Sequence, residues 1–73
     1  MSYTLSEIKI AAYNYSASDG MIEEPPNMEW WERAVWLGAA YAYDLHKYGQ
    51  ASAEECKAIL QSYIDLIWRP NAK

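Results

Sequence analysis

Apolar residues in this chain recur at helical rather than strand spacing. Over residues 5–15, Leu5, Ile8, Ala12 and Tyr15 return every three or four positions and share one face. Over 28–48, Trp31, Ala34, Val35, Gly38, Ala42 and Leu45 do the same, and over 53–67 so do Cys56, Ile59, Leu60, Tyr63, Leu66 and Ile67. No stretch alternates apolar and polar residues over the length of a strand, and β-branched residues are scarce. The pattern predicts an all-α chain of three helices in one domain, 1–73.

The punctuation between these stretches sets their ends. Thr4 and Glu7 have the spacing of a capping box, and Ser52 with Glu55 repeats it. Asn27 is the expected N-cap of helix two, with Glu29 and Glu32 favourably placed in its positive first turns. Gly49 is its expected stop and Arg69–Pro70 that of helix three, with a frayed tail at Asn71–Lys73. In the linker, 16–27, Asp19-Gly20 signals a turn and Pro25-Pro26 enforces extended backbone. Met21 and Ile22, between them, are expected to anchor the linker on the core. The short link after Gly49 makes helices two and three an antiparallel αα-hairpin. The longer linker lets helix one pack on that hairpin, giving a small three-helix bundle.

Helix two is apolar over more than one face. Trp30, Leu37, Tyr41 and Tyr48 widen its core face into a broad arc, as expected of a central helix. The small residues Ala34, Gly38 and Ala42 allow a neighbour to approach closely. On the remaining side Trp36 and Tyr43, seven residues apart, form a second aromatic stripe among Glu29, Glu32, Ala39, Ala40, His46 and Lys47. An aromatic pair flanked by charge on the side away from the core is expected to be a binding hot spot, unless helix one or the Met21-Ile22 linker covers it.

Size adds an argument for association. A core built from 73 residues is close to the minimum that offsets chain entropy. The one cysteine cannot form an internal disulfide, and one cysteine with one histidine cannot close a zinc site. No metal or other cofactor is therefore expected, and a partner or self-association is. Seven Tyr, four Trp and no Phe give every aromatic ring a polar tip, which suits an interface.

The net charge is -4, and the acids are uneven. Asp19, Glu23, Glu24, Glu29 and Glu32 occur between residues 10 and 32 without a Lys or Arg, whereas the stretch 44–73 is balanced. The six basic residues are scattered, so direct nucleic-acid binding is not expected. No run is apolar enough to span a bilayer. The absence of a charged-then-apolar leader, with the lone thiol, points to a cytoplasmic protein.

Catalytic chemistry finds little support. Cys56 sits in mid-stripe and reads as a small buried hydrophobe rather than a nucleophile. His46 has no placed acid-base partner, and Gly20, Gly38 and Gly49 are too far apart for a phosphate loop. The chain is not expected to be an enzyme.

The segment Tyr43-Asp44-Leu45-His46-Lys47-Tyr48-Gly49-Gln50-Ala51-Ser52-Ala53-Glu54-Glu55-Cys56-Lys57, about a fifth of the chain, resembles the helix–Gly–x–x–Ser–x–Glu–Glu–helix hairpins of short phage and mobile-element proteins. Small size, acidity and a single domain are similar to the phage anti-defence proteins, the anti-CRISPR proteins among them. That resemblance carries no functional residue over.

The expected function is accordingly an acidic protein-binding module, an inhibitor or adaptor that occludes a basic surface of a partner protein. Trp36 and Tyr43 would supply the hot spot, with Asp19, Glu23, Glu24, Glu29, Glu32 and Lys47 around them. Two alternatives remain open. One is a homo-oligomer holding a nucleotide-type ligand between aromatic rings, with Arg33, Lys47, Lys57 and Arg69 converging on it. The other is a structural assembly module that self-associates.

Overall fold

The computed structural model describes residues 3–69. Those residues form three helices, α1 (Leu5–Ala17), α2 (Trp30–Lys47) and α3 (Ala53–Ile67), with no strand among them. The chain is thus an all-α three-helix bundle. The expected fraying at Asn71–Lys73 lies outside the described residues.

Both expected capping boxes are present. The Thr4 hydroxyl accepts from the Glu7 amide at 3.1 Å, and the Glu7 carboxylate accepts from the Thr4 amide at 2.8 Å. Ser52 and Glu55 repeat the exchange at the same two distances. Each box satisfies donors that the first helical turn leaves open. At its other end α1 runs two residues past the expected Tyr15. There the Gly20 amide, at φ +84°, donates back to the Tyr15 carbonyl at 2.8 Å. Gly49, at φ +77°, ends α2 where expected, and the Gln50 amide returns to the Leu45 carbonyl at 2.8 Å.

The start of α2 differs from expectation. Asn27 has φ +59°, a left-handed turn conformation rather than the extended one of an N-cap. Glu29 occupies the cap instead, with φ -68° and ψ 159°, and its amide donates to the Glu32 carboxylate at 2.8 Å. Two successive prolines push the turn, and with it the helix start, downstream. Met21 and Ile22 are also exposed, so neither anchors the linker. Backbone and side-chain bonds hold that segment: the Ile22 amide donates to the Ser18 hydroxyl at 3.0 Å.

Helix α2 is central. Trp31 stacks edge-on against Trp68 at 4.9 Å, and Gly38 lies against the Tyr63 ring, so α3 runs antiparallel to α2. Helix α1 runs parallel to it, since Tyr3 meets Glu32 at one end and Ser16 meets Asp44 at the other. The linker explains this direction. A 13-residue helix is about 20 Å long, and residues 18–29 can span that return in extended form.

Each outer helix packs on α2, while α1 and α3 have no Cα atoms within 8 Å of each other. The result is a slab 15 Å thick and 38 Å long, little more than one helix deep. Ile8 and Ala12 of α1, Val35, Trp36, Ala39 and Ala42 of α2, and Cys56 and Leu60 of α3 form one continuous core. A central helix in such a layer has two neighbours, and the arc turned away from both stays uncovered.

Candidate functional site

The stripe expected to face outward is the one that α1 covers. Trp36 is only 2% exposed, with the Tyr15 ring edge-on at 4.8 Å. Its indole N–H has no acceptor among the described residues. Tyr43 is half-buried beneath the edge of Tyr13 at 5.5 Å, and burial, aided by nearby Cys56, pushes its phenol pKa up. Trp36 as an exposed hot-spot ring is therefore corrected: it is a core residue. The physical reason lies in Ala39 and Ala40, both buried between the two rings, whose small side chains let α1 come close.

Glu32 is corrected in the same way, since it is fully buried. Its two carboxylate oxygens accept from the Tyr3 and Glu29 amides, both at 2.8 Å. It fastens the segment entering α1 to the first turn of α2. Glu32→Gln is expected to lower unfolding stability by about 1–3 kcal/mol, because one amide loses a carboxylate oxygen and meets an NH₂ group. Urea unfolding gives the cost, and hydrogen exchange should show the loss at Tyr3 and Glu29 first.

The remaining acids do not form one bare negative arc. Asp19 accepts from Lys47 at 2.6 Å and from the Tyr48 hydroxyl at 2.8 Å. These two hydrogen bonds, Lys47 first, hold the Asp19 carboxyl below its ordinary pKa, and Asp19 in turn raises Lys47 and Tyr48. Lys47 also donates to the Ser16 carbonyl at 2.6 Å, tying the end of α2 to the end of α1. Glu24 pairs with Arg33 at 2.8 Å. Glu23 and Glu29 remain exposed, with no ion pair among the described residues. The eight residues expected at the site thus separate into interior (Trp36, Glu32), half-covered (Tyr43), paired surface (Asp19, Lys47, Glu24) and open surface (Glu23, Glu29).

An exposed apolar line runs elsewhere along the same helix. Trp30, Leu37, Tyr41 and Tyr48 are 66%, 46%, 53% and 63% exposed. At 100° per residue all four fall within about 20° of one line along α2. Cations lie over its end rings, Arg69 at 5.1 Å from Trp30 and Lys47 at 5.3 Å from Tyr48. Arg33 and half-buried Asp44 border the line on one side. Sequence reasoning assigned these four rings and chains to the flank of the core. The spacing that singles them out was present, but α2 is apolar on both flanks, and spacing does not say which flank α1 takes. Leu66, expected in the α3 core stripe, is also exposed.

Cys56 and His46 both take part in packing the α2–α3 hairpin. Cys56 is buried, and desolvation pushes its thiol pKa up. His46 hydrogen bonds through Nδ1 to the Ala51 carbonyl at 3.0 Å, bracing the turn into α3. Among the described residues no three His, Cys, Asp or Glu side chains cluster in a way that could hold a metal ion, and no helix is long and apolar enough to cross a membrane.

What fold and surface define together is a small all-α protein whose central helix leaves an apolar line uncovered among the described residues. Comparison with protein-family models, with curated proteins and with solved structures finds no match to this chain.

Proposed function

We propose that the chain is a non-catalytic protein-binding module, and that its working surface is the outward face of α2 rather than the Trp36/Tyr43 stripe. The observation that supports this reading is the exposed line of Trp30, Leu37, Tyr41 and Tyr48. Trp and Tyr are the side chains that most often dominate binding energy, and here they project from a rigid helix. The acidic linker carrying Glu23 and Glu24 lies beside the line, joined to it through Arg33. An inhibitor or adaptor of this form would cover a basic surface with its acidic edge: charge would speed encounter, and burial of the rings would slow release. It would be a cytoplasmic protein acting on a host protein, in the manner of the phage anti-defence class.

The nucleotide-binding alternative is less well supported. Lys47 binds Asp19 and the Ser16 carbonyl, Arg33 pairs through Nε with Glu24, and Arg69 lies over Trp30, so these three cations point to different neighbours.

Affinity capture with the intact chain tests the proposal. Proteins held by the wild type should be lost with Leu37→Asp or Tyr41→Asp, and weakened at least tenfold by Glu23→Lys with Glu29→Lys. Retention of the same proteins by all of these variants would contradict it.

A further inference from the structure

The outward line of α2 has an internal symmetry. Trp30 and Tyr48 lie nine residues either side of position 39, and Leu37 and Tyr41 lie two residues either side of it. Trp30 and Tyr48 are therefore each about 13 Å from that midpoint along the helix. A line of this kind is self-complementary when two copies meet antiparallel about a two-fold axis. We propose that a second copy of this chain occupies the outward face of α2, forming an antiparallel α2–α2 dimer. The proposal rests on the reading of that face as a protein-binding surface, for which a host protein would compete with the second copy.

The register follows from the wheel. A two-fold axis at the level of residue 39 sets Trp30 against Tyr48 of the other copy and Leu37 against Tyr41. Ala34 and Leu45, both half-buried in one chain, then meet across one side of the seam. On the opposite side Arg33 falls within one residue of the level of the other copy's Asp44, and the two-fold axis makes this pair twice. Both groups keep capacity for it. The Arg33 ion pair with Glu24 uses Nε, and the Ser16 hydroxyl binds one oxygen of Asp44. Opposite charges therefore meet in this register, despite the net charge of -4 on each chain.

The area suits a weak dimer. Three aromatic side chains of about 150–250 Å² each, half to two-thirds exposed, and one leucine offer roughly 450 Å² per copy. Both copies together offer roughly 900 Å², just under the ~1,000 Å² of a specific interface and in the range of weak, transient ones. A dissociation constant in the micromolar range is expected.

Sedimentation equilibrium of the full chain, from about 5 to 500 μM, reads the outcome. The mass should rise from one chain to two over that range. Leu37→Asp and Tyr41→Asp, at exposed positions, should each raise the dissociation constant at least tenfold while circular dichroism stays that of a folded helical protein. Arg33→Asp and Asp44→Arg should each weaken the dimer alone, and an equimolar mixture of these two variants should restore it. In that mixture every swapped charge again faces its opposite, whereas within one chain the two positions are about 16 Å apart and cannot compensate. A chain that stays monomeric throughout overturns the second copy as occupant, and leaves the capture experiment above to decide whether the face binds another protein. A dimer indifferent to Leu37→Asp and Tyr41→Asp overturns the use of this face. A dimer sensitive to them, but not restored by the mixture, overturns the antiparallel register.

Discussion

Trp36→Ala is expected to cost about 3–5 kcal/mol of unfolding stability, the loss typical of a large aromatic removed from a packed core. For a domain of this size the total is only about 4–11 kcal/mol, so this one change removes a large part of it. The expectation follows from its 2% exposure, its contact with Tyr15, and the convergence of Ile8, Ala12, Val35 and Ala39 around it. Trp30→Ala, two turns earlier on the same helix, should cost about 1 kcal/mol or less. That ring is largely in solvent and loses chiefly its Arg69 contact. Thermal or urea unfolding of the pair gives both values. Equal losses at the two positions would contradict the assignment of inner and outer faces.

Gly38→Val is expected to separate α2 from α3. A Cβ at this position would stand 2.4 Å from Cγ of Tyr63 and 2.6 and 2.7 Å from its two Cδ atoms. These atoms form the base of the ring, held close to the α3 backbone, and they cannot swing aside as a side-chain tip could. Overpacking of this kind costs about 1–3 kcal/mol. Alanine would recover about 1 kcal/mol through better helix propensity. The branched valine recovers less and adds two methyl groups, so its loss should reach or exceed the upper end of that range. A double substitution, Gly38→Ala with Tyr63→Ala, should be less destabilised than the sum of the single changes, because the ring that clashes is gone. Additive losses would show that the close approach is not what fixes glycine here.

The two predictions probe the two seams of α2, and the sequence disclosed these seams unequally. The α3 seam was legible. Trp31, Val35, Gly38 and Ala42 recur with one period, the link to α3 is too short for anything but a hairpin, and Ser52 with Glu55 marks where α3 starts. Gly38 drew attention as a point of close approach, and the Tyr63 ring occupies it. The α1 seam was not legible, for a definite reason. A linker of a dozen residues can return α1 to either flank of α2, and both flanks carry aromatic rings. Spacing puts Trp30, Leu37, Tyr41 and Tyr48 on the edge of the core arc, and it leaves Trp36 and Tyr43, on the remaining arc among charged residues, open to either an interface or cover by helix one.

Glu32 misled most. A glutamate beside an aromatic stripe reads as the polar border of a surface. Here its charge is satisfied from inside, by the amides of Tyr3 and Glu29, and this permits its burial. The combination of Glu32 with Ala39 and Ala40 held the relevant signal. Small residues between two large rings leave room for a neighbouring helix, and a surface stripe needs no such room. The acidic arc was legible as composition but not as a field. Pairing of Asp19 with Lys47 and of Glu24 with Arg33 joins residues 28 and 9 positions apart, which no local pattern indicates.

Helix α1 seals Trp36, whereas Trp30 stays open to solvent. Exchange of the indole N–H protons with deuterium, followed by NMR in the Leu37→Asp variant so that no second copy covers the outer face, tests it most directly. The Trp36 signal should persist long after that of Trp30 has vanished. Exchange of Trp36 as fast as that of Trp30 would contradict it.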